Sequence, residues 1–228
     1  LLIDSYNVDS SYFNFLNKHF SAIGYLDDLN LDFDVDLVIN PSCSVKESDY
    51  CAKKVLCGLE YVILGEEYRV GRQKATNIKN KSILITMGGI DHYNLSSRAI
   101  TLLEKISPDI EVNIVIGHYY KNIELIKDTV EKSCLTINLI ENISNLAPII
   151  LKNNIALTAG GFTAYELVAL STPCIGIALW KNQYNNIKCL SQQGGLIPLY
   201  YPQIKNFDKE LAKELSRLIN NDSLVMNM

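Results

Sequence analysis

The stretch TAGGFTAYELVAL, residues 158–170, contains the features that decide the fold. A short apolar run at residues 155–157 leads into it, and a pair of glycines stands where that run ends. Apolar residues then recur at helical spacing, with a single acid, Glu166, on an otherwise apolar turn. A strand, a glycine turn and a helix in this order predict an α/β domain.

The same alternation of strand and helix extends from residue 81 onward. Short apolar runs rich in β-branched residues predict strands at 82–86, 112–116, 135–140, 155–157 and 174–178. Between these runs apolar residues recur at helical spacing, first at Ala99, Leu102, Leu103 and Ile106 and then at Ile123, Ile126 and Val130. This pattern indicates a parallel sheet with helices on both faces, which binds ligands at the carboxyl ends of its strands.

The N-terminal part also predicts an α/β lobe, with strands at 1–4, 21–25, 36–39 and 61–64. The polar stretch GEEYRVGRQKATNIKNK, residues 65–81, is the best linker candidate. We therefore expect a partial N-terminal lobe at 1–72 and a C-terminal lobe at 73–228. Because the chain opens on a predicted strand without a Met, we expect the N-terminal lobe to lack its first strands. A last amphipathic helix is predicted at 208–220.

Composition excludes several classes of function. The 228 residues carry a formal net charge of -4, and no basic patch predicts a nucleic-acid partner. No apolar run approaches the roughly 20 residues of a membrane span. Without a signal-peptide pattern either, the expected location is the cytoplasm. The cysteines form no CxxC pair and the three histidines are far apart, so we expect no metal site. The oligomeric state stays open.

Two glycine pairs, Gly88–Gly89 and Gly160–Gly161, each stand between a predicted strand and a predicted helix. Glycine lets the backbone approach a ligand closely, and a helix N-terminus attracts anions. Two such turns on one sheet suit a diphosphate. The alternative is a pair of tight strand–helix turns without a ligand. Neither turn is a GxGxxG or Walker motif.

Glu166 lies in the first turns of the helix after the second glycine pair. From there its carboxylate could reach the same crevice, where it would suit a pair of vicinal hydroxyls such as those of a ribose. One alternative is an acid favoured by the helix dipole. Another is the third residue of a capping box that has Thr163 as its cap.

Residues 159–183, AGGFTAYELVALSTPCIGIALWKNQ, resemble the nucleotide-sugar site of the GT-B glycosyltransferase fold, in particular that of MurG-like proteins. Five further blocks resemble the UDP-sugar hydrolases of the pseudaminic-acid pathway and the related spore-coat polysaccharide proteins: IDSYNVD, YLDDL, DVDLVINPS, GLEYVILGEEYR and ILITMGGIDHYNLS. No single block is specific for this family, but the order of the five blocks over nearly the whole chain is specific for it. The resemblance implies a GT-B-like α/β fold of two Rossmann-like lobes.

The resemblance also implies a reaction. These hydrolases release UDP from UDP-2,4-diacetamido-2,4,6-trideoxy-β-L-altropyranose, with water attacking the anomeric carbon under inversion and with no metal or cofactor. A MurG-like glycosyltransferase using UDP-GlcNAc or a similar donor is the first alternative. A nucleotide-sugar binding module without turnover is the second.

Site residues follow from the matching motifs. On the nucleotide side the resemblance implies Gly88, Gly89, Asp91, Asn94, Gly160, Gly161, Thr163 and Glu166. On the sugar side it implies Gln183 and two residues assigned to catalysis, Asn182 and Tyr6. For Asn182 and Gln183 the alternative is a polar pair that caps a helix. For Tyr6 it is a tyrosine at a strand end that packs under the missing N-terminal part.

The sequence departs from the family at several positions. The hydrolases carry a GxGHxxR segment with a catalytic histidine upstream of IDSY, and this chain starts after that point. Phe162 and Ile90 replace small hydroxyl residues, and Gly65 stands where an arginine is common. We therefore expect the chain as given to bind UDP but barely to hydrolyse a UDP-sugar. Trp180 and the tyrosines near these turns are expected to pack in the core or between lobes.

Overall fold

The computed structural model describes residues 1–71 and 81–226. The chain divides into two compact units, Leu1–Ile63 and Leu64–Met228. The lobe boundary is expected between residues 72 and 73. Residues 72–80 lie outside the described residues. The described part of the expected linker is not irregular, because residues Glu66–Gly71 form a short helix.

The first unit is built on a sheet of four parallel strands in chain order. They are β1 (Leu2–Asp4), β2 (Gly24–Leu26), β3 (Leu37–Asn40) and β4 (Lys54–Cys57), with helix α1 (Ser10–Leu16) between the first two. The ring of Phe13 packs against Tyr25 and Phe33, at centroid distances of 5.4 and 4.6 Å. These aromatic contacts pack α1 against the sheet and belong to a small hydrophobic core.

In this unit one predicted strand is wrong and one strand was not predicted. The strand expected at residues 61–64 is wrong: Gly58 turns the chain at φ +113° after β4, and a 3-10 turn follows at Leu59–Tyr61. The true fourth strand is β4, which was missed. It lies at the sheet edge and none of its residues is fully buried, so its apolar signal is weak.

The second unit contains six parallel strands in the order β10-β9-β8-β5-β6-β7. The strands are β5 (Ser82–Thr86), β6 (Glu111–Ile116), β7 (Thr136–Glu141), β8 (Ile155–Ala159), β9 (Cys174–Ala178) and β10 (Ile197–Tyr200). The helices are α2 (Glu66–Gly71), α3 (Leu95–Ile106), α4 (Ile123–Lys132), α5 (Ala147–Ile150), α6 (Thr163–Ala169), α7 (Lys181–Gln192), α8 (Phe207–Asn220) and α9 (Asp222–Met226).

Helices cover both faces of this sheet, as the sequence predicts. Ile175 and Ile177 of β9 join the buried cluster that contains the apolar residues of α3 and α8. Gly176, between them, points to the opposite face, where a Cβ would lie 2.7 Å from Ile187 of α7. Every residue of β5, β8 and β9 is buried, which explains their continuous apolar runs. The predicted α/β class is confirmed.

The connectivity locates the site. The chain starts its second sheet at β5, proceeds outward to β6 and β7, and then crosses to β8, β9 and β10 on the other side. Strands β5 and β8 are therefore neighbours, with Thr86 paired to Thr158, while their outgoing loops lead in opposite directions. A ligand crevice is expected outside the carboxyl ends at such a switch point.

The end of the chain contains one prediction that is confirmed and one strand that was missed. Helix α8 covers the predicted segment, with Leu211, Leu215 and Leu218 buried. Strand β10 was missed because it is short and contains Pro198, which weakens a strand prediction. Proline is tolerated in β10 because this strand lies at the edge of the sheet. Among the described residues no helix is long and apolar enough to cross a membrane.

Candidate functional site

The first glycine pair lies directly after β5. Gly88 has φ +71°, which favours glycine, and a Cβ there would meet no atom within 4 Å. At the end of β6 the backbone of Gly117 presses against this turn, since a Cβ on Gly117 would lie 2.6 Å from the Gly88 carbonyl oxygen. The turn is thus held from the β6 side and is open where the Cβ of Gly88 would project.

Asp91 stabilises the turn between β5 and α3. Its carboxylate is buried and accepts hydrogen bonds from the backbone N–H groups of Leu95 and Ser96, both at 2.8 Å. These donors are the first free N–H groups of α3, so Asp91 caps that helix. A negative carboxylate in this position leaves little room for a phosphate. Asp91 therefore fixes the turn, and its expected contact with a ligand stays a prediction.

Asn94 shapes the same turn. It adopts the left-handed conformation at φ 51°, which asparagine tolerates better than most residues, and precedes the first residue of α3. Its side-chain oxygen accepts a hydrogen bond from Asn122 at 2.6 Å. Asn94 thereby links the turn after β5 to the residue that precedes α4.

The second glycine pair follows β8, and its two members differ. A Cβ on Gly160 would lie 2.7 Å from Ile187 and 3.2 Å from the Cβ of Gln183, so Gly160 allows α7 to pack against the strand end. A Cβ on Gly161 would meet nothing within 4 Å. Gly161 therefore leaves an open approach to the backbone. The next residue, Phe162, is 48% exposed.

Glu166 lies in the first turn of α6 and is half-buried. Burial raises the pKa of its carboxyl, hydrogen bonds with Tyr68 and Thr163 lower it, and the charge of Glu67 raises it; the net direction is upward. The capping-box alternative is wrong, because Phe162 rather than Thr163 precedes the helix as its cap residue. The alternative of a first-turn acid favoured by the helix dipole fits the observed position.

Tyr68, in α2, is a partner that no sequence pattern predicts. Its side chain is buried, and burial together with the hydrogen bond to Glu166 raises the pKa of its hydroxyl. The hydroxyl therefore stays protonated at neutral pH and acts as a donor to the carboxylate. Only the fold, which brings α2 to α6, reveals the pair.

Asn182 and Gln183 occupy the first turn of α7, beside Gly160. Gln183 accepts a hydrogen bond from the backbone N–H of Leu179 at 2.8 Å, so its side-chain oxygen is engaged by the residue that precedes Trp180. Asn182 is exposed. Among the described residues, the cap residue of α7, Trp180, makes no side-chain hydrogen bond to the first turn of the helix. The open backbone donors of this helix thus lie next to the second glycine turn.

Tyr6 belongs to the first unit, in the turn after β1. Its side chain is 66% exposed, and its hydroxyl donates a hydrogen bond of 2.7 Å to Asp28. This hydrogen bond, followed by burial, raises the pKa of Tyr6 to about 12. At neutral pH the hydroxyl is a donor and is poorly suited to accept a proton.

Two aromatic residues near these turns are exposed and do not belong to the core. Trp180, which precedes α7, is 48% exposed, and Tyr119, after β6, is 71% exposed. The ring of Trp180 stands edge-to-face against His92 at a centroid distance of 5.8 Å. In the described ranges, 1–71 and 81–226, no group of three or more His, Cys, Asp and Glu side chains is arranged to hold a metal ion.

The amino-acid sequence was compared with those of known proteins. No family model matches the chain. The chain is 24% identical over 175 residues to the spore coat polysaccharide biosynthesis protein SpsG of Bacillus subtilis. The match covers 75% of this chain and 51% of the relative, so the chain spans about half the length of that protein.

Solved structures show the same architecture. MurG of Acinetobacter baumannii matches with a TM-score of 0.69 at 15% identity, over 96% of this chain and 63% of that one. UGT89C1 of Arabidopsis thaliana, solved with UDP-L-rhamnose, matches with a TM-score of 0.60 at 11% identity, over 95% and 63%. At these identities the likeness shows the fold alone. The two parallel sheets with their helices match the GT-B fold, as predicted.

Proposed function

We propose that the chain binds the UDP moiety of a nucleotide sugar at the carboxyl edge of its second sheet. The observation that carries this proposal is the placement of two glycine turns after the neighbouring strands β5 and β8, with open space at Gly88 and Gly161 and with Glu166 on the helix that follows. The fold shared with the GT-B structures supports it.

The diphosphate is placed on the side of the second glycine turn. Asp91 occupies the N-terminus of α3 with a carboxylate, and this charge repels an anion. Gly161 exposes its backbone, and α7 begins nearby with backbone donors that the side chain of its cap residue does not engage. A diphosphate at this position would gain hydrogen bonds and the favourable end of the helix dipole.

Glu166 is assigned to the ribose. Ionised, its carboxylate accepts hydrogen bonds from two vicinal hydroxyls, while Tyr68 and Thr163 hold it in place. Tyr68 has a further effect, because its donated hydrogen bond favours the charged form against the effect of burial. Thr163 and Glu166 thus form the nucleoside side of the proposed site.

The reaction we propose is hydrolysis: water attacks the anomeric carbon of UDP-2,4-diacetamido-2,4,6-trideoxy-β-L-altropyranose or a related UDP-sugar, the configuration inverts, and UDP leaves without a metal. Asn182 and Gln183 are proposed to face the sugar or its phosphates. Tyr6 is proposed as a residue of the reaction from the family resemblance alone, and its hydroxyl, of raised pKa and bonded to Asp28, is a poor base at neutral pH.

A glycosyltransferase reaction is the second candidate, favoured by the fold shared with MurG. A binding module without turnover is the third. Release of UDP from a UDP-sugar by a full-length protein that includes the expected GxGHxxR segment, followed with and without a sugar acceptor, separates the three. Hydrolysis predicts release without an acceptor, transfer predicts release only with one, and a binding module predicts UDP binding with no release. A chain that binds no UDP in a direct titration would refute all three.

A further inference from the structure

His92 is an exposed histidine that the proposed site does not yet use. It lies in the turn between β5 and α3, three residues after Gly89. Its ring is held edge-to-face against the half-exposed ring of Trp180, with an interplanar angle of 88°. Within the part of the chain that the structure describes, no hydrogen bond or ion pair engages its nitrogens, so its N–H donor is available.

The topology determines where this pair of rings lies. His92 follows β5 and Trp180 follows β9, and β8 lies between those two strands in the sheet. The contact between the rings therefore passes the carboxyl end of β8, where Gly160 and Gly161 begin the next turn. His92 and Trp180 thus flank the second glycine turn, on which the proposed diphosphate depends.

The charged groups near His92 bear on which donors a diphosphate could use. Arg98 of α3 is already paired with Asp208 of α8 at 2.6 Å and lies over the rings of Tyr201 and Phe207. Asp91 adds negative charge to the turn that carries His92. The imidazole N–H of His92 is a donor that no carboxylate engages among the described residues, so it is available to a diphosphate.

We propose that His92 donates a hydrogen bond to the terminal phosphate of the bound nucleoside diphosphate, and that Trp180 holds its ring in position. This inference rests on the proposed UDP site and adds to it a residue that distinguishes a diphosphate from a nucleoside. A hydrogen bond to a charged acceptor corresponds to about tenfold or more in affinity.

The test uses calorimetric titrations of the 228-residue chain with UDP and with uridine. His92→Ala should weaken UDP binding by about tenfold or more and leave uridine binding unchanged. His92→Gln retains an N–H donor on the side chain and should recover part of the loss. His118→Ala is the matched control, because His118 is also exposed and stands edge-to-face against a ring, that of Tyr119. It should bind UDP like the wild type.

The outcomes separate this inference from the function on which it rests. If the wild type binds UDP and His92→Ala binds it equally well, the role of His92 is refuted and the UDP site stands. If His92→Ala weakens UDP and uridine alike, the residue only maintains the fold of the turn, and the inference also fails. If the wild type binds no UDP, the proposed function fails and this inference fails with it.

Discussion

The two glycines after β8 offer a paired substitution that separates packing from ligand binding. Gly160→Ala places a methyl group 2.7 Å from Ile187 and 3.2 Å from the Cβ of Gln183. Gly161→Ala places one where no atom lies within 4 Å, at a residue without a positive φ. The same chemical change therefore meets a packed helix at one position and open space at the next.

The magnitudes follow from these contacts. Overpacking at Gly160 should lower the free energy of unfolding by about 1–3 kcal/mol. Alanine at Gly161 should leave stability unchanged or raise it by about 0.4–1 kcal/mol, because it restricts the unfolded chain. If a phosphate lies against the Gly161 backbone, the methyl group blocks a charge-assisted hydrogen bond that contributes about 1.5–3 kcal/mol, a loss of about 10- to 150-fold in UDP affinity.

The assay combines urea unfolding with calorimetric titration of UDP on both variants. We expect Gly160→Ala to lose stability, and Gly161→Ala to keep its stability and lose UDP affinity. Wild-type affinity in a stable Gly161→Ala variant would refute the placement of the diphosphate at this turn. Wild-type stability in Gly160→Ala would refute the packing of α7 on the end of β8.

Three further predictions concern the same unit. Asp91→Ala should lower the free energy of unfolding by about 2 kcal/mol through loss of the α3 cap, measured by urea unfolding; an unchanged midpoint would contradict the capping role. Uridine affinity should fall as pH decreases through the raised pKa of Glu166, because the protonated carboxyl accepts hydrogen bonds less well. Tyr68→Phe removes a donor to the carboxylate and should move that fall to higher pH. A pH profile of uridine affinity identical to that of the wild type would exclude Tyr68 from this role. EDTA should leave UDP affinity unchanged in titration, and a loss restored by magnesium would refute the metal-free site.

The fold could largely be predicted because its signals are local. The buried strands β5, β8 and β9 are continuous apolar runs, and α8 repeats leucines at helical spacing. The elements that escaped prediction are at sheet edges, where burial is incomplete: β4 has a weak apolar pattern, and β10 contains Pro198. The false strand at residues 61–64 is apolar but follows the turn at Gly58.

The site could be predicted only in part, because sequence shows which residues follow a strand but not what their side chains already bind. Both glycine turns lie at the carboxyl ends of neighbouring strands, where strand–helix alternation predicts that ligands bind. The engagement of Asp91 with α3 and of Gln183 with Leu179 depends on the path of each turn in space. The pairs Tyr68–Glu166 and His92–Trp180 join segments far apart in sequence, so no local pattern predicts them.

The central claim is that Glu166 binds the ribose of UDP, and one pair of titrations tests it most directly. UDP and 2′,3′-dideoxy-UDP are titrated into the wild type and into Glu166→Ala. Hydrogen bonds to a charged acceptor contribute about 1.5–3 kcal/mol, so the wild type should prefer UDP by about 10- to 150-fold and the variant should show no preference. Equal discrimination by both proteins would contradict the claim and leave Glu166 as an acid that only stabilises the first turn of α6.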